Sequence, residues 1–325
     1  MQKFIVFLLS FVCCVLLYFT IISVGTVFRT DWQLPQSKSN EESEYHLVLI
    51  TQELDTPFWS QVGVGAKTQA EKEDASLEVW GSYGKNQEDF LKKMEIAIYS
   101  QIDGIIVQGL DTEEFTDLIR EKASSYGIPV ITVANDIPKD ASLRRTYVGS
   151  NQYLAGQMVA QQLVSDMGES GEVVLMYNSE KEYYQEQRLN GMKEVLKDYP
   201  TIQTIEVGTV DKREGIISTT RALLNEKPNL DAFIAVDANI TGDMIQELES
   251  RSQIEPYYLY SFDDNPESLS LLKQGKLDGI LEQSPSEMGK VSVTLMMSWL
   301  RNETVPLDWE GYLTDIRMVK VTDMK

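Results

Sequence analysis

Six short apolar segments of the sequence each end on a carboxylate or an amide. The segments are 46–52, 104–108, 129–135, 231–237, 256–263 and 278–283, and they end on Gln52, Gln108, Asn135, Asp237, Asp263 and Gln283. Apolar runs of this length, separated by amphipathic segments, are typical of buried parallel strands. In open α/β sheets, ligands bind beyond the carboxyl ends of such strands. We therefore expect these polar residues to be ligand contacts.

The side-chain types at these strand ends suit a ligand that carries many hydroxyl groups. A carboxylate accepts two hydroxyl hydrogen bonds, and an amide both donates and accepts. Asp136, directly after Asn135, adds a further carboxylate. Turn and helix-cap chemistry, which Asn and Asp often serve, stays open as the alternative for any one residue. Six such residues at equivalent strand ends favour a site for a neutral polyol.

Two adjacent aromatic residues follow the first predicted strand. They are Phe58 and Trp59, at the start of a helix predicted to begin near Pro57. Aromatic faces stack on the C–H faces of a sugar ring and leave the hydroxyls for polar partners. The alternative is that one ring packs in the core and the other covers a surface. We predict that at least one of them contacts the ligand.

One of the arginines in the second half of the sequence is a further candidate for a ligand contact. Arg188 lies within a predicted helix, in the segment Glu-Gln-Arg-Leu-Asn-Gly over residues 186–191. Its forked guanidinium could bond several ring or hydroxyl oxygens. A surface salt bridge is the alternative for this residue.

The composition excludes several kinds of function. The 325-residue chain has a formal net charge of −21, so we expect it to repel nucleic acid, whose binding needs clustered Lys and Arg. Its one histidine is His46, and its two cysteines, Cys13 and Cys14, lie in an apolar N-terminal segment. The sequence therefore offers no His and Cys cluster for zinc and no thiol nucleophile beyond that segment. We predict no catalysis, no metal and no cofactor.

One glycine-containing segment resembles a phosphate loop only superficially. In residues 63–68, Gly-Val-Gly-Ala-Lys-Thr, Ala66 stands where that loop requires Gly directly before the lysine. The segment also lies inside a predicted helix. We therefore do not expect nucleotide binding.

The N-terminus contains an uncharged apolar run over residues 4–28. About 20 apolar residues suffice to cross a bilayer. No Ala precedes Ala66, so the usual small-x-small cleavage site is missing. We predict a transmembrane anchor over residues 1–29, with a cleaved signal as the alternative, and a polar tether over residues 30–44. The protein would then be a single-pass protein of the cell membrane, with its soluble domain extracellular or periplasmic.

From Tyr45 onward, strand-like and helix-like segments alternate almost without interruption. A second series of similar length begins near Ser150. Predicted elements include a helix over residues 113–126, a helix over residues 287–300 and a final strand over residues 313–321. This pattern predicts an α/β fold with two doubly wound, Rossmann-like lobes and a ligand cleft between them.

As a set, these motifs resemble those of type I periplasmic binding proteins, the class that includes the ribose- and galactose-binding proteins of ABC importers. The resemblance covers about residues 45–322. It rests on Thr56-Pro57-Phe58-Trp59, Gly104-Ile105-Ile106-Val107-Gln108, Ile128-Pro129-Val130-Ile131-Thr132-Val133, Val148-Gly149-Ser150-Asn151, Arg188 with Gly191, Phe262-Asp263 and Gly279-Ile280-Leu281-Glu282-Gln283.

The resemblance implies a set of ligand contacts and a hinge. The implied contacts are Gln52, Phe58, Trp59, Gln108, Asn135, Arg188, Asp237, Asp263 and Gln283. Three hinge crossings are implied near residues 149–150, 283–284 and 314–316. The N-terminal lobe would then comprise residues 45–149 plus 284–314, and the C-terminal lobe residues 150–283 plus 315–325.

The sequence departs from the family pattern at several of these positions. Thr56 replaces a common Asn, and Ala134 stands where an Asp that grips ring hydroxyls is frequent. Asp237-Ala238 replaces Asn-Asp, and Asp211, a further candidate contact, falls where some members place an aromatic. These changes leave the class intact and leave the particular sugar open.

Our leading hypothesis is a binding protein whose lobes close on a monosaccharide and whose closed form is read by a membrane partner. That partner would be an ABC importer permease or a sensor histidine kinase, and a permanent anchor slightly favours sensing. One alternative is another small polar ligand, such as a furanose signal or a cyclic polyol. Another is a sugar-active enzyme on a doubly wound fold. LacI-type repressors share this sensor core, but no basic helix-turn-helix precedes it here.

Overall fold

The computed structural model describes residues 15, 17–18, 45–84, 86–138, 142–250, 257–263 and 265–324. The predicted tether and nearly all of the predicted anchor lie outside these residues. Among the residues described, no helix is both long enough and apolar enough to cross a bilayer. Contacts within Glu44–Lys325 form one compact unit, which contains both sheets of the fold.

The first sheet has six parallel strands in the order β11-β5-β4-β3-β1-β2. Their bounds are β1 (Tyr45–Thr51), β2 (Ala75–Gly81), β3 (Gly104–Gln108), β4 (Val130–Val133), β5 (Thr146–Gly149) and β11 (Tyr312–Leu313). Side chains alternate along β1, so that Leu47 and Leu49 enter one core while Val48 and Ile50 enter the core on the opposite face. Both faces of the sheet are therefore buried, as is usual for parallel sheets.

The second sheet has the order β12-β10-β9-β8-β6-β7, and only the β10–β12 pair is antiparallel among its pairings. Its strands are β6 (Gly171–Asn178), β7 (Ile202–Thr209), β8 (Ala232–Ala235), β9 (Tyr258–Phe262), β10 (Gly279–Glu282) and β12 (Arg317–Val319). Val173 and Leu175 of β6 face one core, and Val174 and Met176 face the other. The two sheets thus share one architecture, with a hydrophobic core on each face.

Helices supply the outer layers of both sheets. Their bounds are α1 (Pro57–Lys72), α2 (Gln87–Tyr99), α3 (Glu113–Asp117), α4 (Gln152–Met167), α5 (Tyr183–Leu196), α6 (Arg213–Glu226), α7 (Ala238–Ser250), α8 (Pro266–Lys273) and α9 (Pro285–Leu300). Helices α1 and α9 cover one face of the first sheet, and α2 and α3 cover the other. Helices α4 and α5 cover one face of the second sheet, opposite α6, α7 and α8.

Two predicted elements differ from the structure. The single strand predicted over residues 313–321 is wrong: β11 joins the first sheet and β12 joins the second, because residues 314–316 carry the chain from one sheet to the other. The helix predicted over residues 113–126 is an α-helix only through Asp117 and continues as a π-helical segment, Leu118–Ala123. Apolar spacing alone does not separate these two helix types over so short a stretch.

The chain passes between the sheets at three neighbouring points. Gly149, at the first passage, accepts a hydrogen bond from the Thr314 backbone N–H at the third, with an N···O distance of 2.9 Å. Ser284, at the second passage, donates its hydroxyl to the Asp315 carbonyl over 3.0 Å. The first and second passages are therefore each hydrogen-bonded to the third. A hinge role for them stays a prediction.

Glycines allow α1 and α9 to pack with their backbones almost in contact. A Cβ at Gly65 would lie 1.9 Å from the Ser286 carbonyl oxygen, and one at Gly289 would lie 2.1 Å from the Val62 carbonyl oxygen. Gly65 belongs to the segment that superficially resembles a phosphate loop. Here its role is close helix packing.

The helix pair α4 and α5 repeats this arrangement on the second sheet. A Cβ at Gly156 would lie 2.0 Å from the Arg188 carbonyl oxygen, and one at Gly191 would lie 2.0 Å from the Tyr153 carbonyl oxygen. This contact fixes the backbone of Arg188 against α4. The glycines of the second lobe therefore position a residue that the sequence singles out as a ligand contact.

Candidate ligand-binding site

A cavity of about 380 Å³ lies beyond the carboxyl ends of strands from both sheets. Its volume lies in the range of about 300–1,000 Å³ that is usual for small-molecule sites. Seven of the predicted contacts line it, namely Phe58, Trp59, Asn135, Arg188, Asp237, Asp263 and Gln283. The structure thus brings together residues from both halves of the sequence.

The first lobe contributes the aromatic side of the cavity. Thr56 caps α1 by accepting a hydrogen bond from the Trp59 backbone N–H over 3.4 Å, which fixes the start of the helix. The rings of Phe58 and Trp59 meet edge to face, with centroids 5.7 Å apart. Trp59 is 3% exposed and packs in the hydrophobic core, while Phe58 is only partly buried. Both line the cavity, so the core role of Trp59 does not remove it from the site.

Arg188 stands in the second lobe and is held in a fixed orientation. It is 2% exposed, so the surface salt bridge considered as an alternative does not describe it. Its guanidinium carbon lies 4.1 Å from the centroid of the Phe262 ring and 4.9 Å from that of Tyr184. Its Nη1 donates to the Val236 carbonyl over 2.8 Å. A cation held between two aromatic rings is stabilised by their π-electrons and has little freedom to turn.

A closed circuit of polar side chains surrounds this guanidinium. Arg188 Nε donates to Gln152 Oε1 over 2.8 Å, and Gln152 Nε2 donates to Gln283 Oε1 over 3.1 Å. Gln283 Nε2 then donates to Asp263 Oδ1. Arg188 Nη2 lies 3.9 Å from the same oxygen, which closes the circuit. Each side chain here orients the next, so we call these four residues the polar circuit.

Asp237 lies beside the polar circuit and is bonded to neutral donors. Its Oδ2 accepts from the Tyr184 hydroxyl over 2.7 Å and from Gln185 Nε2 over 3.0 Å. Its Oδ1 accepts from the Asn239 backbone N–H over 3.0 Å. Burial, together with the nearby charge of Asp237, holds the pKa of Tyr184 well above its usual value. The phenol therefore stays protonated at neutral pH and acts as a donor to this carboxylate.

The surroundings of Asp263 disfavour the ionised form of its carboxyl group. Its pKa is raised, first by burial and further by the negative charge of Asp237, although Arg188 and the bond from Gln283 act in the opposite direction. The residue has a φ of +65°, in the left-handed region that few non-glycine residues occupy. Strain of this kind is often found where a side chain must be aimed at a ligand.

A hydrogen bond at the edge of the cavity joins the first lobe to the second. Asn135, which follows β4, donates its Nδ2 to Glu182 Oε2 over 3.0 Å. Glu182 is the residue before α5, the helix that carries Arg188. The contact brings the two cavity walls together on the side of Asn135.

Two predicted contacts, Gln52 and Gln108, lie outside the cavity lining. Gln108 Oε1 accepts from the Thr51 hydroxyl and from the Gln52 backbone N–H, each over 2.8 Å. These bonds tie the ends of β1 and β3 together beneath the cavity. Gln52 Nε2 is buried and has no hydrogen-bond partner among the described residues. A direct ligand contact for either residue stays a prediction.

Asp136 and Asp211 also lie outside the cavity lining. Asp136 is paired with the buried Arg144, whose Nη2 lies 2.7 Å from Asp136 Oδ2, and it accepts from the Thr132 hydroxyl over 2.8 Å. Asp211 follows β7, the edge strand of its sheet. An edge position sets Asp211 apart from the strand ends where the other candidates meet. Ligand contacts for both residues stay predictions.

Sequence reasoning missed several lining residues. They are Glu53, Gln152, Tyr184, Asn239 and Glu267, among others. Tyr184 precedes Arg188 by four positions on α5, so helical spacing places both side chains on one face. That spacing could have identified Tyr184. Gln152 directly follows Asn151, the N-cap of α4, and carries no comparable signal in the sequence.

Comparison with known proteins agrees with this geometry. The model of the periplasmic binding protein domain matches residues 47–304, a range that includes every cavity residue named above. The chain belongs to the periplasmic binding protein family. The resemblance to type I sugar-binding members is thereby confirmed, as is the predicted two-lobed α/β fold. The family consists of solute-binding proteins and not of enzymes, which also confirms the prediction that catalysis is not the function.

Individual relatives are distant but cover most of the chain. The ribose import binding protein RbsB of Bacillus subtilis is 20% identical over 262 residues, which are 81% of this chain and 83% of the relative. The structure of GanP, a glucose-galactose binding protein from Geobacillus stearothermophilus, is 27% identical, with a TM-score of 0.80, and the match covers 86% of this chain and 98% of GanP. A chain of the XylFII-LytSN complex is 24% identical, with a TM-score of 0.76 and coverages of 86% and 98%. The last similarity supports the fold alone.

Proposed function

We propose that this protein binds a neutral monosaccharide between its two lobes. The observation that carries the proposal is the chemistry of the two cavity walls. Phe58 and Trp59 offer apolar ring surface on one side, and the polar circuit offers donors and acceptors on the other. A sugar ring has matching halves, because its C–H faces are apolar and its hydroxyl edge both donates and accepts.

The arrangement of polar groups supports a neutral ligand. Asp237 and Asp263 both line the cavity, together with the cation Arg188. Carboxylates accept hydroxyl hydrogen bonds well but repel a ligand that carries its own negative charge. The names of the relatives, which include a ribose import binding protein and a glucose-galactose binding protein, support the same ligand class.

Isothermal titration calorimetry against a panel of pentoses and hexoses tests this proposal. We expect at least one neutral sugar to bind with a Kd in the micromolar range, which corresponds to about −8 kcal/mol. Sugar acids of the same ring size should bind at least about tenfold more weakly, because a ligand carboxylate would face Asp237 and Asp263. Absence of heat with every sugar, while circular dichroism confirms folded protein, would contradict the proposal.

We further propose that the closed form is presented to a membrane partner. The apolar segment over residues 4–28 would keep the soluble domain at the outer face of the cell membrane. The candidate partners are an ABC importer permease and a sensor histidine kinase. The XylFII-LytSN complex, to which the chain is similar in fold, is compatible with a complex between such a lobe pair and a second protein.

Co-purification of the full-length chain from membranes, with and without the bound sugar, separates these partners. A permease subunit in the sugar-dependent eluate supports import. A histidine kinase there supports sensing. Release of the chain from washed membranes without detergent would contradict the anchor.

A further inference from the structure

A second cavity, of about 280 Å³, lies beside the first and third passages between the sheets, where the hinge is predicted. It is separated from the first cavity by Gln152 and Tyr184, two residues that line both. Apart from Asp136, whose sugar contact stays a prediction, the proposed sugar site does not use the rest of its lining. We call it the hinge cavity.

The hinge cavity contains a buried hydroxyl without a partner. Ser150 lines it and is 1% exposed, and its Oγ has no hydrogen-bond partner among the described residues. The serine's carbonyl, by contrast, accepts from the Tyr147 hydroxyl over 3.0 Å. Buried polar groups in folded proteins almost always have a partner, and an unsatisfied one often marks the place of a ligand or an ordered water.

Aromatic residues form much of the remaining wall. Tyr147, Tyr153 and Tyr184 all line the hinge cavity, and so does the apolar side chain of Leu313. The described lining includes no Lys or Arg. Its two carboxylates are Asp136, which is paired with Arg144, and Glu310, which is exposed. Aromatic surface with a few polar groups and no cationic side chain offers nothing to hold an anion and suits a neutral ligand that has both C–H faces and hydroxyls.

The position of the hinge cavity connects it to lobe movement. Ser150 follows the first passage between the sheets, and Gly311 and Leu313 precede the third. A molecule bound there would touch both passages at once. Its affinity must then depend on how the two passages are arranged.

We propose that the hinge cavity is a second binding site, for a small neutral polyol, whose occupancy is coupled to sugar binding in the first cavity. A polyol hydroxyl would hydrogen-bond Ser150 Oγ, and its carbon skeleton would lie against the tyrosine rings. The arrangement described here also contains the Asn135–Glu182 bond between the lobes. A polyol that stabilises this arrangement therefore raises sugar affinity, and by linkage the bound sugar raises polyol affinity by the same factor.

Backbone-amide NMR of the ¹⁵N-labelled soluble domain tests the site without any assumption about the first cavity. The probes are glycerol and myo-inositol, each titrated separately. We expect the amide signals of Ser150, Gly311 and Leu313 to shift and saturate with at least one probe. Signals at these three positions that stay unchanged with every probe, while the rest of the spectrum shows folded protein, overturn the proposal.

A matched pair of variants tests whether the Ser150 hydroxyl hydrogen-bonds the polyol. Ser150→Ala removes the unpartnered oxygen in the hinge cavity, and Ser268→Ala removes a similarly buried, unpartnered oxygen on α8, which does not line either cavity. We expect Ser150→Ala to weaken polyol binding about tenfold, as the loss of one hydrogen bond in a buried site implies. Ser268→Ala should leave it unchanged. Equal behaviour of the two variants would overturn the role of Ser150.

The coupling rests on the proposed sugar function and is measured separately. Calorimetry of the best sugar, repeated in saturating polyol, should give a Kd lower by about fivefold, the smaller end of usual coupling strengths. An unchanged Kd overturns the coupling but not the site. If no sugar binds at all, the proposed function fails. The NMR titration still decides whether the hinge cavity binds a polyol.

Discussion

The two walls of the binding cavity are held in place by different forces. The first lobe supplies Trp59, whose ring packs in a hydrophobic core and whose Nε1 donates to Glu53 Oε2 over 3.3 Å. The second lobe supplies Arg188, whose guanidinium is bonded to Gln152 and to the Val236 carbonyl. Apolar packing holds the first wall, and directional hydrogen bonds hold the second.

This difference has consequences for how each wall responds to change. Apolar packing degrades gradually, in proportion to the volume removed from the core. A hydrogen-bonded circuit fails as a unit, because removing one member leaves its neighbours buried without partners. We therefore expect substitutions in the second wall to have the largest effects on ligand affinity.

Arg188→Met is expected to have the largest effect. It removes the guanidinium but keeps apolar volume between Phe262 and Tyr184. It also leaves Gln152 and Asp263 without their charged partner. We expect a loss of about 3 kcal/mol in the free energy of unfolding and at least about 100-fold in sugar affinity. Urea denaturation and calorimetry measure the two effects.

Arg213→Met is the matched control for this experiment. Arg213 pairs with Asp243, and its side chain is 60% exposed. This substitution should lower the free energy of unfolding by less than about 1 kcal/mol. Native sugar affinity in Arg188→Met would contradict the importance of the polar circuit.

Alanine substitution of the packing glycines compares the two lobes directly. Gly156→Ala forces α4 away from the Arg188 backbone, and Gly65→Ala forces α1 away from Ser286. Each should lower the free energy of unfolding by about 1–3 kcal/mol, the usual cost of overpacking. Only Gly156→Ala should also lower sugar affinity, by about tenfold, because only that contact positions a member of the polar circuit.

Gly63→Ala serves as the control within α1. A Cβ there would meet nothing closer than Val79 at 3.5 Å, an ordinary contact. Alanine is favoured over glycine in a helix by about 1 kcal/mol, so this variant should be as stable as the wild type or more stable. If Gly65→Ala were as stable as Gly63→Ala, the backbone contact between α1 and α9 would not be required for stability.

Asn135→Ala tests the bond between the walls. It removes the donor to Glu182 and should weaken sugar binding by about fivefold, as expected for a hydrogen bond worth about 1 kcal/mol. The unfolding free energy of the ligand-free domain should change by less than this. A larger effect on stability than on affinity would indicate that the bond holds the lobes together without ligand.

Asp263→Asn is expected to have the smallest effect, which is a change in the pH dependence of the free energy of unfolding. Its pKa is raised in the folded protein, so the folded state holds this proton more tightly than the unfolded state does. Ionisation of Asp263 therefore costs stability, and the cost is relieved as the pH falls through the raised pKa. Between pH 7 and pH 4, the wild type should gain stability relative to Asp263→Asn. Urea denaturation at several pH values measures this difference, and the opposite slope would contradict the raised pKa.

Much of the fold could be predicted because strand and helix periods are local properties. The buried strands β1, β3 and β8 are continuous apolar runs, and their polar ends mark where they stop. The sequence pattern predicts β11 and β12 as one strand, because their separation depends on which sheet each joins. That choice is decided by partners far away in the sequence, such as β5 and β10.

The candidate site could be predicted in part for the same reason. Position after a strand identified Asn135, Asp237, Asp263 and Gln283. It did not distinguish them from Gln108, whose side chain turns toward β1 and bonds to Thr51. Whether a strand-end side chain points to a ligand or to a neighbouring strand depends on tertiary contacts that a single sequence does not contain.

The short third passage between the sheets limits how far the lobes can travel. Residues 314–316 separate β11 from β12, and the four residue steps from Leu313 to Arg317 span at most about 14 Å when fully extended. The ends of β11 and β12 therefore stay near each other at any degree of separation between the lobes. If the three passages act as the predicted hinge, we expect opening to be mainly a rotation of one lobe relative to the other, with little sliding.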